Sequence, residues 1–389
     1  MQNLNLLLSM KHLLFVIPEY SHGGTNKSLE NLLSLIDKTK YQISVYCLYE
    51  DGGDYYRKVF APYILKKSRL YYWLHDNVWT RKVMGAYNKW TKRNNFEWLY
   101  RREAQYLQRK NDFDTVIAYQ EGTATMFVSY FNDNIKKIAW IHFDYSMLKD
   151  KVDLRATKQY YDNYHRIVCV SETAMKSMLS VYPEYRKKTT YIYNTVNTNY
   201  ITEQAEDTSI GVPYSKDVFN ILSVGRFVEV KNFHLIPEMA SKIKEITQIP
   251  FCWYIMGDGE GLEVIKRNID KYKVDDYVKI IEPQENPYPF FRQANLHVCL
   301  SDYESFSYTL AEAKVLHTPV LSNDFPVAFE VVDDSQGWIT NIKEMPQLIA
   351  RIISNEDEEY DRKKVVVKNF FLINKEIFKK IDKLFMNVE

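Results

Sequence analysis

A short, β-rich apolar run followed by a helix-compatible segment recurs along the whole chain, in two blocks. The first block contains HLLFVI (12–17), YQISVYCLY (41–49), DTVIAY (114–119), KIAWIHFD (137–144) and RIVCVS (166–171). The second contains FNILSVG (219–225), FCWYIMG (251–257), YVKII (277–281), LHVCLS (296–301) and PVLSN (319–323). Near-continuous apolar runs suit strands buried on both faces, and intervening helices suit the crossovers that join parallel neighbours. The chain therefore reads as α/β, with two Rossmann-like parallel sheets covered by helices. Its 389 residues exceed what one hydrophobic core supports, so two domains of about 150–200 residues are expected.

The polar stretch TNYITEQAEDTSIGVPYSK holds little that could pack and reads as a linker over 198–216. That sets a first domain at 1–197 and a second at 217–365. The remaining 366–389 reads as an amphipathic helix in need of a partner face.

Function classes narrow with charge and hydropathy. No apolar run approaches the roughly 18–20 residues that span a bilayer. Leu6–Leu8 lack a preceding basic segment and meet Lys11 and His12, so a secretory signal is not expected. Cys47, Cys169, Cys252 and Cys299 each sit inside an apolar run without metal-type spacing, as buried thiols in a reducing cytoplasm do. A net charge of +1 argues against a nucleic-acid binder. The charge is uneven, however: Arg57 to Lys110 holds fourteen Lys and Arg against Asp76, Glu97 and Glu103, and four of the seven tryptophans, Trp73, Trp79, Trp90 and Trp98. Such a mixture suits peripheral contact with an anionic membrane, and equally suits amphipathic helices whose rings face a core.

In open parallel sheets ligands lie beyond the carboxyl ends of the strands, so residues just after each run carry the functional information. Arg226 and Lys231 follow Gly225 and flank a loop that leads toward a helix expected near Asn232 or Phe233, an arrangement suited to an anion; Pro237 fits its first turn. Gly257, Gly259 and Gly261 permit a sharp turn or close approach, without dinucleotide-fingerprint spacing. Glu304 and Glu312 stand about 12 Å apart along a helix, too far for a carboxylate pair acting on one bond; without further context Glu312 reads as a surface residue. In the first half, His142 ends a strand and His22 precedes Gly23 and Gly24. Asp112 and Asp114 have the Asp-x-Asp spacing of metal sites but lie at the amino end of their strand, the wrong edge, and read as a turn.

Taken together, SVGRFVEVKN, IMGDGEG, SDYESFSYTLAEA and HTPVLSNDFP, in that order, resemble the donor half of glycosyltransferase family 4, with Glu304-x7-Glu312 the most specific element. WIHFD, VCVSE and YIYNTVN extend the resemblance over the first half. It implies a GT-B fold with two sheets facing a central cleft, and a final helix that returns to the first domain. It further implies a retaining transferase of hexosyl or N-acetylhexosaminyl type that needs no metal or cofactor and uses a nucleotide-sugar donor, a UDP-sugar above all. By the same resemblance, Arg226 and Lys231 hold the donor diphosphate, Glu312 the ribose hydroxyls and Glu304 the donor sugar, while His142 faces the reacting sugar. Gly23, Gly24, Gly225, Gly257, Gly259, Ser305, Phe306 and Ser307 complete the donor-binding set. The implied acceptor is a glycan or lipid-linked glycan, in bacterial surface polysaccharide synthesis, with the protein cytoplasmic or at the inner face of the cell membrane.

This sequence departs from the family pattern in carrying Glu260 where many members have proline and in lacking the glycine common after Phe306. Two other readings share the fold: an epimerase or phosphorylase acting on related sugars, and a catalytically silent nucleotide-sugar-binding subunit. The intact Arg226, Lys231, Glu304 and Glu312 favour the transferase.

Overall fold

The computed structural model describes residues 10–21, 23–77, 79, 80, 82, 83, 86, 96–145, 154–368 and 374–386. They form two compact units, Met1–Thr195 with Asn374–Glu389, and Val196–Ile373.

The first unit is built on β1 (Lys11–Ile17), β2 (Tyr41–Cys47), β3 (Thr115–Ala118), β4 (Lys136–Ile141), β5 (Arg166–Cys169) and β6 (Thr189–Tyr191). They form one parallel sheet in the order β2-β1-β3-β4-β5-β6, with Leu13 opposite both Ile43 and Thr115. Leu13 to Ile17 are fully buried, as expected of a central strand covered on both faces. One face is covered by Tyr71, Leu99, Tyr100, Ala104 and Phe127. On the sheet's other side, Phe385 of the helix Lys375–Met386 sets its ring against Phe15, Tyr41 and Trp140. Asp382 of that helix binds Lys40 and the Tyr41 hydroxyl, both at 2.8 Å. Of the expected segment 366–389, Lys375–Met386 thus finds its apolar partner in the first unit, whereas 366–368 end the helix Glu359–Lys368 of the second unit, which runs to Ile373 rather than to 365.

The basic aromatic segment divides between core and surface. Tyr71 and Tyr100 enter the core, while Trp73, Trp79 and Trp98 are 59%, 81% and 48% exposed; Trp90 lies outside the described residues. Part of the segment therefore packs into the core of the first unit, and part presents its rings at the surface.

The second unit carries β7 (Phe219–Val224), β8 (Phe251–Met256), β9 (Val278–Ile281), β10 (Leu296–Cys299), β11 (Val320–Asn323) and β12 (Gly337–Thr340). They form a parallel sheet in the order β12-β11-β10-β7-β8-β9.

The expected linker over 198–216 is corrected in its first part, while 206–216 carries no helix or strand. Thr198–Ala205 is a helix of the second unit, capped by the Asn197 side chain on the Tyr200 N–H, with Ile201 and Ala205 buried. Its Gln204 carbonyl accepts from Asn286 at 2.8 Å. The polar surface of this helix disguised the two-residue stripe at i, i+4 that docks it.

In each sheet the strand order reverses at one place, and there the carboxyl ends open a crevice. In the first sheet the reversal falls between β1 and β3; in the second, between β7 and β10. The loops after those four strands carry most of the residues singled out by sequence.

Candidate functional site

In the second unit, the loop after β7 and the loop after β10 meet at the switch point. Asn232 takes a left-handed φ of 56°, and its amide donates to the Leu300 carbonyl at 3.0 Å and to Asp302 at 2.6 Å. The Asp302 N–H returns a bond to the Val230 carbonyl at 2.9 Å. This clamp splits the segment after β7 into two short 3-10 turns, so the regular helix begins at Ile236 rather than near Asn232, with Pro237 in its first turn. The expected helix amino terminus beside Arg226 and Lys231 is therefore corrected: the positive charge brought to this loop is that of the two side chains.

Lys231 ion-pairs with Glu304, and Ser301 donates to the same carboxylate oxygen at 2.9 Å. Both members of the pair keep about a fifth of their side-chain surface exposed, 23% and 18%. Arg226 is exposed and has no side-chain partner among the described residues. The site thus offers one cation engaged by an acid and one left available.

The glycines act on the backbone. Gly257 and Gly259 have φ of 155° and 152°, and a Cβ on either would strike the backbone of Gly225 or Phe227. The Phe227 N–H donates to the Asp258 carbonyl at 2.8 Å, and its own carbonyl accepts from Gly261 at 2.7 Å. What approaches this loop so closely is the neighbouring loop, which holds Phe227 buried and leaves Arg226 outside. At Gly225 itself a Cβ would meet the Phe233 ring at 3.4 Å.

Glu312 is 7% exposed on the helix Tyr308–Val315 and accepts from the Tyr288 hydroxyl at 3.1 Å. Its reading as a surface residue is corrected: Ala311 and Ala313 are buried beside it, and the helix is enclosed on nearly all sides. A buried carboxylate costs several kcal/mol unless bonded, so this one has a reason to be there. At the head of that helix Ser305 is half-buried, Phe306 is buried against Tyr308, and Ser307 takes a φ of 62°. Ser307 thus adopts the conformation that glycine occupies most cheaply, at the place where the sequence departs from the family's glycine.

In the first unit other groups gather after β1 and after β4, at and beside the switch point. Gly23 is extended, with φ of −178°, and Gly24 opens the helix Gly24–Leu35; a Cβ on either would meet nothing within 4 Å. His22 lies outside the described residues. His142 follows β4 with its ring 4.8 Å from Tyr119, and burial pushes it down to about 3, so it is neutral at pH 7. Asp114 binds Lys11 at 2.7 Å and the His12 N–H at 2.8 Å, tying the amino ends of β3 and β1, as its position at that edge implied.

Sequence reasoning missed three groups. Glu121, in the loop after β3, accepts from the His142 and Phe143 backbone N–H groups. Asn194 of the YIYNTVN stretch accepts from Ser28 at 2.7 Å, and Ser28 also meets the Tyr119 hydroxyl at 2.8 Å. Tyr288 holds Glu312. Glu121 was within reach of the strand-end rule, whereas the other two depend on contacts distant in sequence.

Comparison with known proteins agrees with this fold. Residues 22–200 match Glycosyltransferase Family 4, and residues 209–369 match Glycosyl transferases group 1. An uncharacterized glycosyltransferase of Methanocaldococcus jannaschii is 24% identical over 208 residues, 50% of this chain and 49% of that protein. The poly(glycerol-phosphate) alpha-glucosyltransferase of Bacillus subtilis is 25% identical over 193 residues, 45% of this chain and 28% of that protein. The chain thus spans about half or less of the curated relatives it matches. Among solved structures, Anabaena HepE in complex with UDP and glucose superposes with a TM-score of 0.72 at 14% identity, covering 97% of this chain and 100% of that one. The lipopolysaccharide outer core galactosyltransferase WaaB gives 0.68 at 16% identity, covering 97% and 100%. With two family matches in tandem and two sheets of this order, the chain belongs to the GT-B glycosyltransferases of the family 4 type.

Proposed function

We propose that this chain transfers a sugar from a nucleoside diphosphate donor, a UDP-sugar, to a hydroxyl of a glycan or lipid-linked glycan, with retention of configuration. The observation that carries the reading is the meeting of Lys231 and Glu304 at the switch point of the second sheet, with the free cation Arg226 on the adjoining loop. An arriving diphosphate competes with Glu304 for Lys231 and adds Arg226. Two cations fixed where charge develops on the departing nucleotide lower the barrier without any proton transfer. Released from Lys231, Glu304 can meet sugar hydroxyls, and Glu312 suits the ribose diol. Ser305, Phe306, Ser307 and the loop glycines shape the same edge. Neutral His142 can exchange a hydrogen bond with the sugar undergoing transfer, and the leaving phosphate can take the acceptor proton.

The uridine assignment draws support from HepE, which was solved with UDP and glucose. A surface-polymer setting draws support from the Bacillus relative, a poly(glycerol-phosphate) glucosyltransferase. Work at a membrane face draws support from the exposed Tyr72, Trp73 and Trp79 in a strongly basic segment. Among the described residues no helix is long and apolar enough to cross a membrane, so this contact would be peripheral.

The test is thermal stabilisation across UDP, GDP, ADP and their sugar conjugates in EDTA, for wild type, Arg226→Ala and Glu312→Ala. A shift of several degrees with one nucleotide, lost in both variants, supports the reading and names the base. No shift with any nucleotide sinks it. Consumption of the nucleotide sugar to an isomer without any acceptor would instead indicate an epimerase.

A further inference from the structure

We propose that Glu121 is a positioning residue for sugar transfer: its carboxylate holds the backbone where β4 ends, and so sets the place of the His142 ring against Tyr119, beside the switch point of the first sheet. The proposal rests on the function proposed above.

The β4–β5 ladder stops at Ile141 opposite Cys169. Beyond it, the N–H groups of His142 and Phe143 lie past the last strand pair and need another acceptor. Both find the same oxygen, Oε1 of Glu121, the Phe143 bond measuring 2.7 Å. Glu121 reaches them from the loop after β3, on the strand that flanks β4, just before Gly122 with its φ of 81°. The His142 ring then rests on Tyr119, whose hydroxyl meets Ser28, itself bonded to Asn194. Loops from β1, β3, β4 and β6 are thereby joined around one imidazole.

A carboxylate is a costly choice for this task. A backbone carbonyl or an Asn side chain would accept the same two bonds without burying charge. The ionisable groups facing the Glu121 carboxyl are Tyr145, Tyr161 and Cys169, all held neutral, and among the described residues no cation offsets it. Burial raises this acid to about 7, against the pull of its own N–H and those of Phe143 and His142. A desolvated, unpaired acid at a switch point, beside a neutral histidine, is an arrangement that stability alone does not favour.

Two substitutions separate the roles. Glu121→Gln keeps an Oε1 acceptor for both amides, and Glu121→Ala removes it. Crystal structures of both variants give the position of His142 directly. Release of nucleoside diphosphate from UDP-, GDP- or ADP-glucose, followed from pH 5.5 to 9, gives its effect. The expected result is a displaced His142 and a roughly 10- to 100-fold lower kcat in Glu121→Ala, with donor KM little changed. Glu121→Gln should keep His142 in place and retain most activity. An unmoved His142 in Glu121→Ala, or a Glu121→Gln as inactive as Glu121→Ala, overturns the proposal. If wild type binds none of the three donors, the transferase reading falls and this one with it. Intact donor binding with unchanged kcat in both variants sinks this one alone.

Discussion

A Cβ on Gly257 would stand 1.9 Å from the carbonyl oxygen of Gly225. The loops after β8 and β7 are therefore in backbone contact, and no side chain at Gly257 leaves that contact intact. Gly257→Ala should destabilise the second unit by about 3 kcal/mol or more, combining a glycine-only φ with steric overlap. Gly23→Ala, extended and in open space, should change stability by no more than about 0.5 kcal/mol. Urea unfolding of the two variants beside wild type checks both values.

Glu304→Gln should free Lys231 and leave two unengaged cations at the switch point. UDP should then bind roughly three- to tenfold tighter by calorimetry, while turnover falls because the donor sugar loses its acid. Weaker UDP binding in this variant would mean that Glu304 organises Lys231 rather than competing for it.

His297 is fully buried on β10, and burial lowers it to about 3. The unfolded chain, with a histidine near 6.5, binds the extra proton throughout the window between about 3 and 6.5, so stability falls as pH drops through that window. By pH 5 this one group should cost about 2 kcal/mol. His297→Leu should remove that loss: its advantage in melting temperature over wild type should grow from pH 7 to pH 5. A constant difference across this range would show that the histidine is not buried in solution.

Trp73 and Trp79 expose their rings in a segment rich in Lys and Arg. The Trp73→Ala, Trp79→Ala double variant should bind vesicles of equal phosphatidylglycerol and phosphatidylcholine about tenfold more weakly in sedimentation, with UDP affinity unchanged. Wild type should not bind pure phosphatidylcholine. Equal binding by variant and wild type would remove the rings from the contact.

The alternation of apolar runs located ten of the twelve strands among the described residues, because strands buried on two faces advertise themselves as unbroken hydrophobic sequence; the edge strands β6 and β12, only partly buried, were missed. The strand-end rule likewise located Arg226, Lys231, Glu304 and His142. It was silent on how they are held. The Lys231–Glu304 pair joins residues on different loops, and the burial of Glu312 depends on Tyr288 from another helix. The helix Thr198–Ala205 was missed for the opposite reason: its apolar stripe is two residues wide, too little to stand out in a polar segment. The loop glycines were recognised, but their reason, a second backbone lying against them, is a fact of tertiary structure.

Phe385 reaches the sheet from a helix that belongs to the first unit but is made about 180 residues after the rest of it. At about 5–20 residues per second, a ribosome leaves Phe15, Tyr41 and Trp140 uncovered for on the order of 10–40 s. The continuous second unit has no such delay and can mature while the first is still open. Nascent-chain chaperones should therefore engage the first sheet, and their release should coincide with emergence of Lys375–Met386 rather than with completion of β6.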